Sequence, residues 1–173
     1  MRPLLRLATL AAAVALAAPA GAQSFGSAPP RIGVGFDVTG AIPGQDLIPD
    51  GVAIGLRVRA ALPVNADLSL AASVGLAAHL WDGRADARYV MNPQTSLIVT
   101  LPGRGPNVRY VLGGFGGFVP LDGNGGGGPT LHAGIGTAIP LNDTSLYLEV
   151  DPSLLIGTNE TTLVLSGRVG VIF

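Results

Sequence analysis

Five charged residues lie in stretches that otherwise alternate apolar side chains with glycine, alanine and serine: Asp37, Arg57, Arg59, Glu149 and Arg168. Guanidiniums and carboxylates held together in a confined space either lock into ion pairs or line a polar passage. Catalysis has less to build on. The two histidines, His79 and His132, fall on different segments, and no further ligands gather beside either to complete a metal site. The glycine run at 123–128 lacks the Lys-Ser/Thr ending and following helix of a phosphate loop, so it reads as a flexible connection. The chain has no cysteine, which removes disulfides and thiolate metal centres. No catalytic residue, metal or cofactor is expected.

Period-two alternation positions the charges, because successive side chains on a strand point to opposite faces. From Arg31, the residues Ile32, Val34, Phe36 and Val38 share one face and Gly33, Gly35, Asp37 and Thr39 the other. The second segment sets Val52, Ile54, Leu56 and Val58 against Ala53, Gly55, Arg57 and Arg59. The third is the longest clean alternation, Leu68 to Leu80, with His79 on its minor face. A fourth runs from about Arg88 to Leu101 with Leu97, Val99 and Leu101 in phase, although Pro93 cannot donate to a ladder. In the fifth, Val108 to Val119, four glycines blur the faces and leave the phase open. The sixth puts Leu131, Ala133 and Ile135 opposite His132 and Gly134. The seventh puts Leu146, Leu148 and Val150 opposite Ser145, Tyr147, Glu149 and Asp151, and Pro152 is expected to bend or bulge it.

The eighth segment ends the chain. Leu163, Leu165, Gly167, Val169, Val171 and Phe173 form one face, and Ser166, Arg168 and Gly170 the other. A tight turn at Thr158 and Asn159 places Glu149 opposite Arg168, Leu148 beside Val169 and Leu154 beside Leu163, so one register serves both faces. Glu149 and Arg168 are therefore expected to pair, and Asp37 is the nearest counter-charge for Arg57 and Arg59. The repeated Ala61-Leu62-Pro63-Val64-Asn65 and Ala138-Ile139-Pro140-Leu141-Asn142 mark equivalent short turns at even-to-odd connections, as an up-and-down arrangement requires.

Composition places these strands in an unusual solvent. Charged residues make up 12 % of the chain, against about 25 % in ordinary soluble domains, and 48 % belong to the hydrophobic set. The minor face carries small residues and scattered charges where a water-facing surface would carry Lys, Glu and Thr. The net charge of −1, with no basic stripe, excludes nucleic acid as an expected partner. At the other end, Arg2 and Arg6, an apolar run from Leu7 to Ala18 and small residues through Ala22 form a secretory signal peptide pattern. The expected organisation is a signal peptide at 1–22, a leader at 23–30 and one domain at 31–173, with export by the Sec route.

A terminal strand that alternates and ends on an aromatic residue resembles the targeting strand of bacterial outer-membrane β-barrels, on Leu165, Val169, Val171 and Phe173. With the signal peptide and the strand count, the mature chain resembles the small eight-stranded OmpA, OmpX and OmpW type. The resemblance implies an all-β, eight-stranded antiparallel up-and-down transmembrane β-barrel in the outer membrane of a Gram-negative-type envelope. It implies a monomer without enzymatic activity, contacting outer-membrane lipid and, through the last strand, the barrel-assembly machinery. No cell-wall-binding domain is expected after Phe173. The His-x-Ser motif of outer-membrane lipid A deacylases, which are of similar size, is absent, because Ala133-Gly134 follows His132 and Leu80-Trp81 follows His79. The expected function is structural, with side chains filling the lumen or leaving a narrow channel. Aromatic girdles would be sparse, drawn from Phe36, Trp81, Tyr89, Tyr110, Phe115, Phe118 and Phe173. The alternative is a soluble periplasmic barrel with its apolar face inward around an apolar ligand.

Overall fold

The computed structural model describes residues 29–41, 51–80, 88–121, 127–157 and 161–173. The expected signal peptide, most of the leader, Trp81 and the turn at Thr158 and Asn159 lie outside them. Every element among the described residues is a strand: β1 (Arg31–Ala41), β2 (Val52–Pro63), β3 (Leu68–His79), β4 (Arg88–Leu101), β5 (Val108–Pro120), β6 (Gly128–Pro140), β7 (Ser145–Ile156) and β8 (Thr161–Ile172). Each pairs antiparallel with its sequence neighbours, and β8 closes on β1. Closure leaves no strand edge unpaired. The connections 64–67, 102–107 and 141–144 lie at one end, here termed the turn end; the other end is the loop end.

The register fixes the barrel's proportions. Following paired residues around the wall leads from Arg31 through Ala61, Ala71, Ser96, Gly114, His132, Ser153 and Val164 back to β1 at Ala41, ten residues beyond the start. That stagger over eight strands, at about 3.3 Å per residue and about 4.8 Å between strands, tilts the strands by about 40°. An interior of this size is just wide enough for side chains to fill.

The apolar phase points outward on every strand. Phe36, Ile135 and Leu165 are 60 %, 65 % and 52 % exposed, whereas Asp37, Arg57, Glu149 and Arg168 are 3–4 % exposed. This is the inverse of a soluble ligand-binding barrel, and a lipid-facing band with a polar interior is the arrangement of membrane barrels. The phase of β5 is now defined. Tyr110, Leu112 and Phe118 turn inward and Phe115 outward, because Gly114 and Gly116 have Cβ positions that would strike the β4 backbone at Thr95 and Pro93. Tyr110 and Phe118 are accordingly not girdle residues, while Phe36, Tyr89, Phe115 and Phe173 stay exposed.

Neither interior proline forms a bulge. On the β6–β7 ladder His132 pairs with Ser153 and Ile135 with Val150, three steps along each strand, so no residue is inserted at Pro152. The ladder from β7 to β8 is continuous through Pro152–Leu165, so the missing N–H faces β6. Pro93 behaves alike: it is paired on the β3 side and skipped on the β5 side, between Met91–Val119 and Gln94–Gly116.

Candidate functional site

The interior is layered. At the loop end Val90, Phe118, Leu155 and Val164 pack into an apolar cap, with Ala41 against it and the His79 and Phe118 rings in a T-shaped contact at 6.3 Å between centroids. Below the cap lies a charged layer. At the turn end a vestibule of about 90 Å³, lined in part by Arg31, Ser69 and Thr100, stops at Arg59, Tyr110 and Tyr147.

The charged layer is built from the minor faces of all eight strands. Asp37 on β1 accepts a hydrogen bond from Arg57 Nε at 2.7 Å, and Arg57 Nη1 donates to Ser73 Oγ on β3 at 2.9 Å and to Gln94 Oε1 on β4 at 2.8 Å. Arg59 donates to both carboxylate oxygens of Glu149 on β7, at 2.7 and 2.9 Å. Arg168 Nη1 is 2.6 Å from Glu149 Oε1 and 2.6 Å from Asp151 Oδ2, and its Nη2 donates to Gln94 Oε1 at 3.1 Å. Tyr110 donates to Glu149 Oε2 at 3.1 Å, and His132 Nδ1 stands 3.0 Å from Asp151 Oδ1. Three guanidiniums thus face three carboxylates. Charges removed from water are tolerated when they are paired, as here, although Asp37 Oδ1, Asp151 Oδ2 and Arg168 Nε make no hydrogen bond among the described residues and are held by ion pairing alone.

All five sequence-derived charges lie in this layer. Glu149 is opposite Arg168 in the β7–β8 register. The assignment of Asp37 as counter-charge holds for Arg57 but is corrected for Arg59, whose guanidinium crosses the lumen to Glu149. Asp151, Gln94 and Ser73 join the network without having been singled out by sequence, and with them come Tyr110, expected in an aromatic girdle, and His132, noted only as an isolated histidine. Asp151 is two residues from Glu149 and so shares its face, a usable signal; Gln94 was masked by the neighbouring Pro93.

Two tyrosines set the floor of the layer. A Cβ at Gly136 would meet the ring of Tyr110, and one at Gly170 would meet Tyr147 Cε1 at 2.6 Å, so each ring lies over a glycine of the paired strand. Arg59 Cζ stands 5.4 Å from the centroid of the Tyr147 ring, within cation–π range. Among the described residues no cluster of His, Cys, Asp and Glu could hold a metal.

This architecture occurs in solved structures. Neisserial surface protein A superposes with a TM-score of 0.67 at 13 % identity, over 83 % of this chain and 95 % of that one. The fold is that of the small eight-stranded outer-membrane barrels. Among these, the N-terminal β-barrel domain of Pseudomonas aeruginosa OprF matches at 11 % identity with a TM-score of 0.51, and Ail, the attachment invasion locus protein of Yersinia pestis, at 13 % with 0.54. Each covers 83 % of this chain, which spans 97 % of each of them. No family model and no curated protein matches the sequence. At such identities the outer-membrane barrels share backbone architecture with this chain, and its lumen chemistry is read from its own residues.

Proposed function

We propose that this chain is a structural, non-enzymatic protein of the cell outer membrane whose lumen is closed by its own side chains. One observation carries the reading: Arg59, Arg168 and Tyr110 converge on the single Glu149 carboxylate and fill the section between the apolar cap and the turn-end vestibule. An ion entering would have to break charge pairs that are buried away from solvent. In this reading the turn end faces the periplasm, outer-membrane lipid covers the apolar band, and the protein is a monomer. The barrel-assembly machinery engages β8, whose Leu165, Val169 and Phe173 are exposed and whose end bonds to β1 through Phe173 N–H and Ile32 C=O at 2.8 Å.

Ail is also known in complex with the heparin analogue sucrose octasulfate. Here the connections between strands at the loop end hold Asp46, Asp50, Asp82, Asp86, Asp122 and Glu160 against Arg84. A sequence with that surplus of carboxylates disfavours capture of a polysulfate.

Two measurements test it together. The folded chain should migrate differently with and without boiling, and in planar lipid bilayers it should insert without stable conductance steps. Sustained channel currents from the wild type would overturn the closed lumen, and recovery in the aqueous periplasmic fraction without a mobility shift would overturn the membrane barrel itself.

A further inference from the structure

The outward face of the described strands is apolar but for three threonines and one charge. Outward positions alternate with the buried ones, and the only Asp, Glu or Arg among them is Arg109. It is the second residue of β5, one step inside the turn end, and its exposed guanidinium has no ion-pair partner among the described residues. Across the ladder on one side stands Thr137, also on the outward phase, and on the other Leu101. The same spot opens a groove of about 360 Å³ on the outer wall, walled by Leu101, Ile135, Leu148 and Val150 beside Arg109 and Thr137.

We propose that this groove binds an anionic glycerophospholipid of the leaflet at the turn end, with its phosphodiester on Arg109 and an acyl chain along Ile135, Leu148 and Val150. The inference rests on the membrane-barrel reading above. A guanidinium on the lipid face is costly at mid-depth and tolerated near the interface, where its stem lies on apolar surface and its head reaches the headgroups. Its planar fork matches two phosphate oxygens at once, and the Thr137 hydroxyl supplies a further donor beside it. The leucine, isoleucine and valine walls continue away from the charge into the apolar band, the direction a lipid tail takes. Charge and groove therefore match the two ends of one molecule.

The test is native mass spectrometry of the full chain folded in detergent micelles, titrated with 1-palmitoyl-2-oleoyl phosphatidylglycerol or with phosphatidylcholine of the same chains. The wild type should retain phosphatidylglycerol about tenfold more than phosphatidylcholine, the range expected for charge-assisted hydrogen bonds. Arg109→Gln should reduce that preference to near parity, and Arg109→Lys, which keeps the charge without the fork, should fall between. Parity in the wild type, or an undiminished preference in Arg109→Gln, would overturn the site. Migration with and without boiling is recorded for each variant. A normal shift with no lipid preference removes the lipid site alone, whereas loss of the shift in the wild type removes the membrane barrel and the site with it.

Discussion

Arg59 and Glu149 form a two-pronged ion pair across the lumen, at 2.7 and 2.9 Å, although their strands share no ladder. β2 and β7 are separated around the wall by β1 and β8, the pair whose meeting closes the barrel. The ion pairs of Asp37 with Arg57 and Arg168 tie β1 to β2 and β8 in the same region. The charged layer therefore braces the closing seam from within, in addition to filling space.

Removing one partner of the brace should be worse than removing both. Glu149→Leu leaves the Arg59 guanidinium buried beside an apolar group and is expected to destabilise the barrel by about 3–5 kcal/mol, while Arg59→Met with Glu149→Leu should lose distinctly less. Urea unfolding in lipid vesicles, read by the fraction that keeps its unboiled mobility, gives both values. Equal losses for the single and double variants would remove the coupling.

The two buried tyrosines separate hydrogen bonding from packing. Tyr110→Phe deletes a bond to the Glu149 carboxylate and should cost about 1.5–3 kcal/mol. Among the described residues the Tyr147 hydroxyl has no hydrogen-bond partner, so Tyr147→Phe should stay within about 0.5 kcal/mol of wild type in the same assay. Similar losses for the two would contradict the distinction.

Two glycines on β8 should respond in opposite ways to alanine. A Cβ at Gly170 would stand 2.6 Å from both Gly35 Cα and Tyr147 Cε1 at the seam, and Gly170→Ala is expected to cost about 1–3 kcal/mol. A Cβ at Gly167, on the outward face, meets nothing within 4 Å, so Gly167→Ala should be neutral or stabilising by up to about 1 kcal/mol. Unfolding midpoints measured side by side decide this.

If the lumen is closed as proposed, the apolar cap and the charged layer are two barriers in series, which conductance can resolve. Phe118→Ala removes the largest side chain of the cap, costing about 3–5 kcal/mol, yet the charged layer beneath should keep bilayers silent. Adding Arg59→Ala and Glu149→Ala should produce conductance steps. Currents from Phe118→Ala alone would show that the cap is the only seal.

Local alternation decided most of the architecture, because on a strand the neighbours that settle a residue's face are two positions away. It delivered eight strands and the inward phase of Asp37, Arg57, Arg59, Glu149 and Arg168, and together with the tight turn expected at Thr158 and Asn159 it gave the β7–β8 register that sets Glu149 opposite Arg168. It failed on β5, where glycines carry no polarity to alternate and where backbone contacts with β4 choose the phase. At Pro152, where a bend or bulge was expected, no bulge forms and the ladder instead skips a bond on one side of the strand. The partner of Arg59 was beyond the reach of alternation for a different reason. Which side chains meet across a lumen depends on closure and on a stagger of ten residues around eight strands, quantities that belong to the whole wall and to no segment of it.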